Sequence, residues 1–84
     1  MPENRHSTEE LIQELIEHQQ AKVLKVAREI VSDATQEDIR NPQDFPDLVA
    51  DTLFNYEDGI LTGYLTLQTA LRKRSRTENP DSKL

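Results

Sequence analysis

Residues 49–71 read VADTLFNYEDGILTGYLTLQTAL and contain the most regular apolar pattern of the chain. One row of apolar residues follows steps of three or four, the spacing that places side chains on one side of an α-helix. This row consists of Val49, Leu53, Tyr56, Ile60, Tyr64, Leu67 and Leu71. A second strip beside it carries Phe54, Leu61 and Leu65. The pattern predicts a helix over about 46–74 that is apolar around roughly half of its circumference.

The dipeptide Asp58-Gly59 gives an alternative interpretation of the same residues. It is a strong signal for a two-residue β-hairpin turn, and residues 60–69 contain many β-favouring types. The helical row crosses the dipeptide without a change of phase, and the alternation of apolar and polar residues around it is poor. These two facts favour the helix, in which an internal glycine costs about 1 kcal/mol.

A first helix is predicted over about 8–33. Ser7 and Glu10 fit a capping box at its start. Apolar residues at helical spacing follow on one face: Ile12, Ile16, Val23, Val26, Ala27, Ile30 and Ala34. Gln19 and Gln20 occupy places where apolar residues are expected. They indicate either a polar layer that fixes the register of the helices or the place where the connection passes.

The connection, residues 34–45, is rich in polar residues and proline. Within it, Thr35 and Asp38 are spaced to cap a short helical turn through Arg40. The sequence therefore predicts an all-α fold, an antiparallel helical hairpin within a single domain over 7–76. Residues 1–6 and 77–84 are polar and without periodicity, and we expect them to be disordered tails.

The last helix is apolar over a wider arc than one neighbouring helix covers, so a second contact surface is expected. Gly59 and Gly63 would let another backbone approach closely, and we assign the surface to them and to Phe54, Leu61 and Leu65. The preferred architecture is a homodimer that forms a four-helix bundle. A short third helix over 36–41, folded over the hairpin, is the monomeric alternative.

Composition restricts the function further. The residues from Ser7 to Leu71 include thirteen acidic and four basic side chains, a net charge of −9. This charge repels nucleic acid and anionic lipid, and only the basic run from Arg72 to Arg76 retains a weak possibility of binding nucleic acid. The chain has no cysteine, no apolar N-terminal leader and no uncharged run of the roughly 20 residues that span a membrane. We therefore expect a soluble, cytoplasmic protein.

Carboxylates are the main candidates for chemistry. Glu14, Glu17 and His18 form the most metal-like group, although the helical wheel places them on the solvated face. Glu14-Leu15-Ile16-Glu17 resembles the first magnesium-binding pair of the all-α MazG-like nucleotide pyrophosphohydrolases. Asp47 and Asp51 are similar to the second pair, but they are spaced by four where that family has three.

Glu57 lies at the edge of the apolar row of the last helix. We expect it to pair with a base of the facing helix, Lys22 or Arg28, with a functional role as the alternative. The function expected overall is a non-enzymatic interaction or regulatory module, without a cofactor, that binds itself or another helical protein. The alternative is a magnesium-dependent nucleotide hydrolase.

Overall fold

The computed structural model describes residues 4–78, with side chains for residues 7–76. Within residues 4–78 all regular structure is helical: α1 (Asn4–Ile30), α2 (Gln36–Arg40), a 3₁₀ turn (Pro42–Asp44), α3 (Pro46–Ala50) and α4 (Thr52–Glu78). The predicted all-α fold with two long packed helices is confirmed. The alternative of a β-hairpin is wrong, because α4 runs without interruption through Asp58 and Gly59. The outer parts of the two predicted tails, residues 1–3 and 79–84, lie outside the described residues.

The ends of α1 differ from the prediction. The helix begins at Asn4, so Ser7 lies one turn inside it and does not cap its start. Because serine is tolerated in a helix interior, the capping-box pattern at Ser7 does not prevent α1 from beginning before it. At the other end α1 stops at Ile30, and the chain turns through residues 31–34. Arg28 stabilises this turn, because its Nε donates a 2.8 Å hydrogen bond to the carbonyl oxygen of Ala34.

The predicted helix over 46–74 is broken at Asp51 into α3 and α4, which is a correction to the sequence analysis. Asp51 has an extended backbone, with φ −80° and ψ 122°. Its Oδ2 accepts a 2.7 Å hydrogen bond from the backbone N–H of Phe54, which is the contact of a helix N-cap. Asn55 Nδ2 donates to the carbonyl oxygen of Val49 at 2.8 Å. Both side chains form hydrogen bonds with backbone groups that have no helical partner at the break. These hydrogen bonds stabilise two separate helices relative to one continuous helix.

The short helix expected in the connection is present as α2. Thr35 Oγ1 accepts from the N–H of Asp38 at 3.2 Å, and the N–H of Thr35 donates to Asp38 Oδ2 at 3.0 Å. This reciprocal pair is a capping box. The helix places Ile39 in the core, so α2 covers one end of the hairpin.

The long helices α1 and α4 pack antiparallel, because late residues of α1 contact early residues of α4. Gln19 bonds to Glu57, and Gln13 bonds to Gln68 at 2.8 Å. The core is formed by side chains that are less than a tenth exposed: Ile12, Ile16, Val23, Val26, Ala27, Ala34, Ile39, Leu48, Phe54 and Leu61. On α4 the buried strip is therefore the one that contains Phe54 and Leu61. The first row is exposed at Leu53, Tyr56 and Leu67 and packs against the core through Tyr64 and Leu71.

Candidate interaction surface

A polar layer crosses the core between α1 and α4. Gln19 and Glu57 are only 5% and 6% exposed. Gln19 Nε2 donates to Glu57 Oε1 at 2.8 Å and to the backbone oxygen of Glu57 at 2.9 Å. The other carboxylate oxygen of Glu57 lies 3.6 Å from Lys22 Nζ. The expected pairing of Glu57 with Lys22 is confirmed, whereas Arg28 bonds to the turn after α1 instead.

This layer has a structural use. Both carboxylate oxygens of Glu57 are engaged within the chain, one by an amide and one by an ammonium group. A shift of α4 by one turn along α1 would leave the buried Gln19 and Glu57 side chains without partners, which is costly. The geometry therefore assigns Gln19 to the register-fixing role that the sequence left open. Gln20, beside it, is half-buried.

The four carboxylates of the hydrolase alternative do not form one site. Glu14 and Glu17 are exposed on α1, where Glu17 Oε2 accepts from Gln13 Nε2 at 3.0 Å. Asp51 caps α4 through its Oδ2. Among the described side chains, no group of three or more His, Cys, Asp or Glu residues is arranged to hold a metal ion. The donors that a magnesium site needs are therefore not brought together in this part of the chain.

The basic end of α4 lies beside acidic residues of α1. A shallow cleft at the open end of the hairpin is lined by Glu9, Glu10 and Arg72, among others. A neighbouring cleft is lined by Glu9, Arg72, Ser75 and Arg76. Part of the positive charge at the end of α4 is thus offset within the hairpin, which weakens the case for a nucleic-acid contact at Arg72–Arg76.

The main unpartnered feature of the described residues is a row of apolar side chains on the outer face of α4. Tyr56 is 65% exposed, and Leu53 and Leu67 are each 49% exposed. Ile60, between them, is half-buried, and Gly63 is exposed. Steps of three and four join these residues, which is the spacing of a coiled-coil seam. We call this row the outer stripe: Leu53, Tyr56, Ile60, Gly63 and Leu67.

The surface predicted from sequence divides into two parts. Phe54 and Leu61 are buried against α1, so they belong to the core and not to a free surface. Leu65, Gly59 and Gly63 are exposed. Leu65 lies two residues before Leu67, which places it roughly 160° away around the helix. Of the predicted residues, only the glycines lie on or beside the outer stripe.

The two glycines of α4 have no packing role within the described chain. A Cβ atom added to Gly59 or Gly63 meets nothing within 4 Å. A glycine in a helix interior costs about 1 kcal/mol relative to alanine. The hairpin itself therefore does not require either glycine, whereas a second backbone packed closely on this face does.

Exposed leucines of α1 extend the apolar surface. Leu11 and Leu15 each precede a core residue, Ile12 and Ile16, by one position. The members of the outer stripe likewise precede the core-facing positions of α4 by one. Because α1 and α4 are antiparallel, side chains that lie one position before the core-facing residues of each helix point to the same side of the helix pair. Leu11 and Leu15 thus lie on the same face of the hairpin as the outer stripe.

Asp58 is a carboxylate of α4 that is partly withdrawn from solvent. It follows Phe54 by one turn of α4 and is half-buried. Burial removes water from its carboxylate and raises the pKa of Asp58. Asp58 lies seven residues, about two turns, before Leu65, so its charge is on the side of α4 away from the outer stripe.

Comparison of the chain with protein families, curated proteins and solved structures finds no match. None of the helices in the described part of the chain combines the length and the hydropathy that a membrane span requires.

Proposed function

We propose that this chain is a non-enzymatic protein-interaction module that packs the outer stripe against a helix of another protein chain. The observation that carries the proposal is that α4 has two adjacent apolar rows. One row contains Phe54 and Leu61 and forms the core with α1. The other row is the outer stripe, which no other element of the described residues covers.

The physical properties of the outer stripe support docking. From Leu53 to Leu67 it extends over about 21 Å of helix, or roughly four turns. Burial of each leucine side chain contributes about 1.5–3 kcal/mol when it leaves water completely. Residues 59–71 contain no charged side chain. Interface cores are likewise depleted of charge and enriched in aromatic and aliphatic residues.

A four-helix bundle follows when the partner is also a helical hairpin. The outer stripe and the leucines of α1 would then form the second half of a bundle core, with spacing suited to helices that cross at a small angle. This assembly retains the homodimer expected from the sequence, but it uses a different face of α4 from the one predicted.

The proposal is tested by photo-crosslinking in the native cell, whatever the partner is. A photoreactive amino acid is placed at Tyr56 or Leu67, and at Leu65 as the matched exposed control on the opposite side of α4. We expect discrete crosslinked products from the first two positions and none from the control. Equal labelling at all three positions, or no product from any, would contradict the proposal.

A further inference from the structure

The order of charges along α3 and α4 suggests what the outer stripe binds. Acidic residues precede the uncharged segment: Asp44, Asp47, Asp51, Glu57 and Asp58. Residues 59–71 carry no charge, and the basic residues Arg72, Lys73, Arg74 and Arg76 follow. Glu57 is buried beside Lys22, and Asp58 lies on the side of α4 away from the outer stripe. The remaining acids make the segment before α4 negative, while the C-terminal end of α4 is positive.

We propose that the partner of the outer stripe is a second copy of this chain, with the two α4 helices antiparallel and crossing near Gly63. This inference rests on the proposed function and names the partner of the same surface. A parallel pair would place the two positive ends together and the two negative ends together. An antiparallel pair instead places each positive end beside the negative end of the other copy.

Distances along the helix fit this arrangement. Thr52 and Arg74 are each eleven residues from Gly63, about 16 Å along the axis. When two copies cross at Gly63, Arg74 of one copy reaches the first turn of α4 in the other. Asp51 immediately precedes that turn, and Asp47 lies in the preceding helix, α3. Arg74 continues the spacing of the outer stripe by a step of seven from Leu67, so it lies on the same face.

Small residues occupy the centre of the proposed contact. Gly59, Gly63, Thr66 and Ala70 are all exposed and separated by steps of four and three. They form a strip with little side-chain volume beside the larger residues of the outer stripe. Two helices with such strips can bring their backbones close together, and the open space above both glycines leaves room for this approach.

The arrangement closes on itself. A two-fold axis near Gly63 uses the same surface of each copy, so the contact produces a dimer and not a chain of molecules. In each hairpin Leu11 and Leu15 lie near the C-terminal half of α4, because Gln13 bonds to Gln68. The antiparallel pairing carries these leucines towards Leu53 of the second copy. Both helices of each hairpin then contribute to the bundle core.

The first test is sedimentation velocity of the purified full chain over a range of concentration, compared with two variants. Leu67→Glu introduces a charge into the outer stripe, and we expect the dimer dissociation constant to rise roughly ten- to hundredfold. Leu65→Glu makes the same change on the opposite side of α4 and should leave the constant within about threefold of the wild-type value. Circular dichroism of all three proteins shows whether the helices are retained.

The second test measures the orientation of the helices. The chain has no cysteine, so one introduced cysteine is the only thiol. In an antiparallel pair two copies of Thr66→Cys lie about 9 Å apart along the axis, and a short bis-maleimide joins them. Two copies of Leu53→Cys lie about 30 Å apart and are not joined. A mixture of Leu53→Cys and Ala70→Cys chains should give the crossed product, because these positions lie ten and seven residues from Gly63 and come within about 5 Å of each other along the axis.

The outcomes separate this inference from the proposed function. Crosslinking at Leu53→Cys as efficient as at Thr66→Cys would overturn the antiparallel arrangement. A wild-type chain that sediments as a monomer at all concentrations would overturn the second copy as partner. If photo-crosslinks to a different protein still form at Tyr56 and Leu67 in that case, the docking function stands while this inference fails. If those products are also absent, both fail.

Discussion

Glu57 is a carboxylate that the fold places inside a small helical core without an obvious chemical task. Its oxygens contact Gln19 and Lys22, which lie 38 and 35 positions earlier in the sequence. Burial of a charged group is costly unless hydrogen bonds and an opposite charge compensate it, and here both are present. The energetic value of the layer therefore depends on all partners being in place.

We expect Gln19→Leu to lower the free energy of unfolding by about 1–3 kcal/mol, because it removes the hydrogen-bond donor of a buried carboxylate. The double variant Gln19→Leu, Glu57→Leu should recover most of this loss, since neither polar group then remains. Lys22 is 52% exposed and regains water as its partner. The free energies of unfolding of the wild-type chain, Gln19→Leu and the double variant are measured by urea denaturation, monitored by circular dichroism.

Gln20→Leu is the control for this pair, since Gln20 is only half-buried and we expect a change below about 0.5 kcal/mol. If the double variant is instead destabilised as much as Gln19→Leu alone or more, the polar layer does not act as a unit.

Asp58 gives a stability effect that depends on pH. Because burial raises its pKa in the folded chain, the unfolded chain releases the Asp58 proton at lower pH. The charged carboxylate therefore disfavours folding above the folded-state pKa, and the penalty is absent below the ordinary value of about 3.9. We expect Asp58→Asn to raise the urea midpoint at about pH 7 and to leave it unchanged at about pH 3.

Asp33→Asn is the comparison for Asp58, because Asp33 is exposed in the turn after α1. An equal gain in stability for both variants at neutral pH would point to reduced net charge as the cause and not to burial of Asp58.

At the scale of helices, the sequence predicted the number and approximate place of the long elements and the capped turn at Thr35. It did not predict which face of α4 is buried. Two adjacent rows of α4 both follow steps of three and four, so periodicity alone does not distinguish them. The choice depends on contacts distant in sequence, such as Phe54 in the core and Glu57 on Gln19.

For the same reason the predicted interaction surface included Phe54 and Leu61, which the structure buries against α1. Leu53, Tyr56 and Leu67 belong to the most regular row and were not part of that predicted surface. The glycines lie on or beside the outer stripe proposed above, and that signal does not depend on knowing which row faces α1.

The break between α3 and α4 depends on Asp51, whose side chain caps the first turn of α4. We expect Asp51→Ala to lower the free energy of unfolding by about 1 kcal/mol, since the N–H of Phe54 loses its side-chain acceptor. Asp47→Ala removes an acid of the same charge from the first turn of α3 and should cost only a few tenths of a kcal/mol. Thermal unfolding of both variants measures the difference, and equal losses would mean that Asp51 acts through its charge and not as a cap.

At the scale of the whole molecule, an acidic protein that pairs with itself must overcome its own repulsion. Each copy carries a net charge of −6. At about 0.15 M salt, charges separated by more than about 8 Å are largely screened, so the bodies of two copies repel weakly. Pairs in contact are screened less, and the local order of charges along α4 then determines the orientation of the dimer.

Charge reversal tests this argument with the net charge under control. Asp47→Lys changes the net charge of the chain from −6 to −4, and Arg74→Glu changes it from −6 to −8. The double variant returns to −6 with the two charges exchanged. If Arg74 of one copy lies near Asp47 of the other, each single variant creates like-charge contacts twice in the dimer.

We expect each single variant to weaken the dimer, by about 0.2–1 kcal/mol per contact, and the double variant to restore it. A general effect of net charge would instead strengthen the dimer of the −4 variant, weaken that of the −8 variant and leave the double variant unchanged. Dissociation constants from sedimentation velocity distinguish the two patterns, because only an intermolecular contact between these positions makes both single changes unfavourable and their combination neutral.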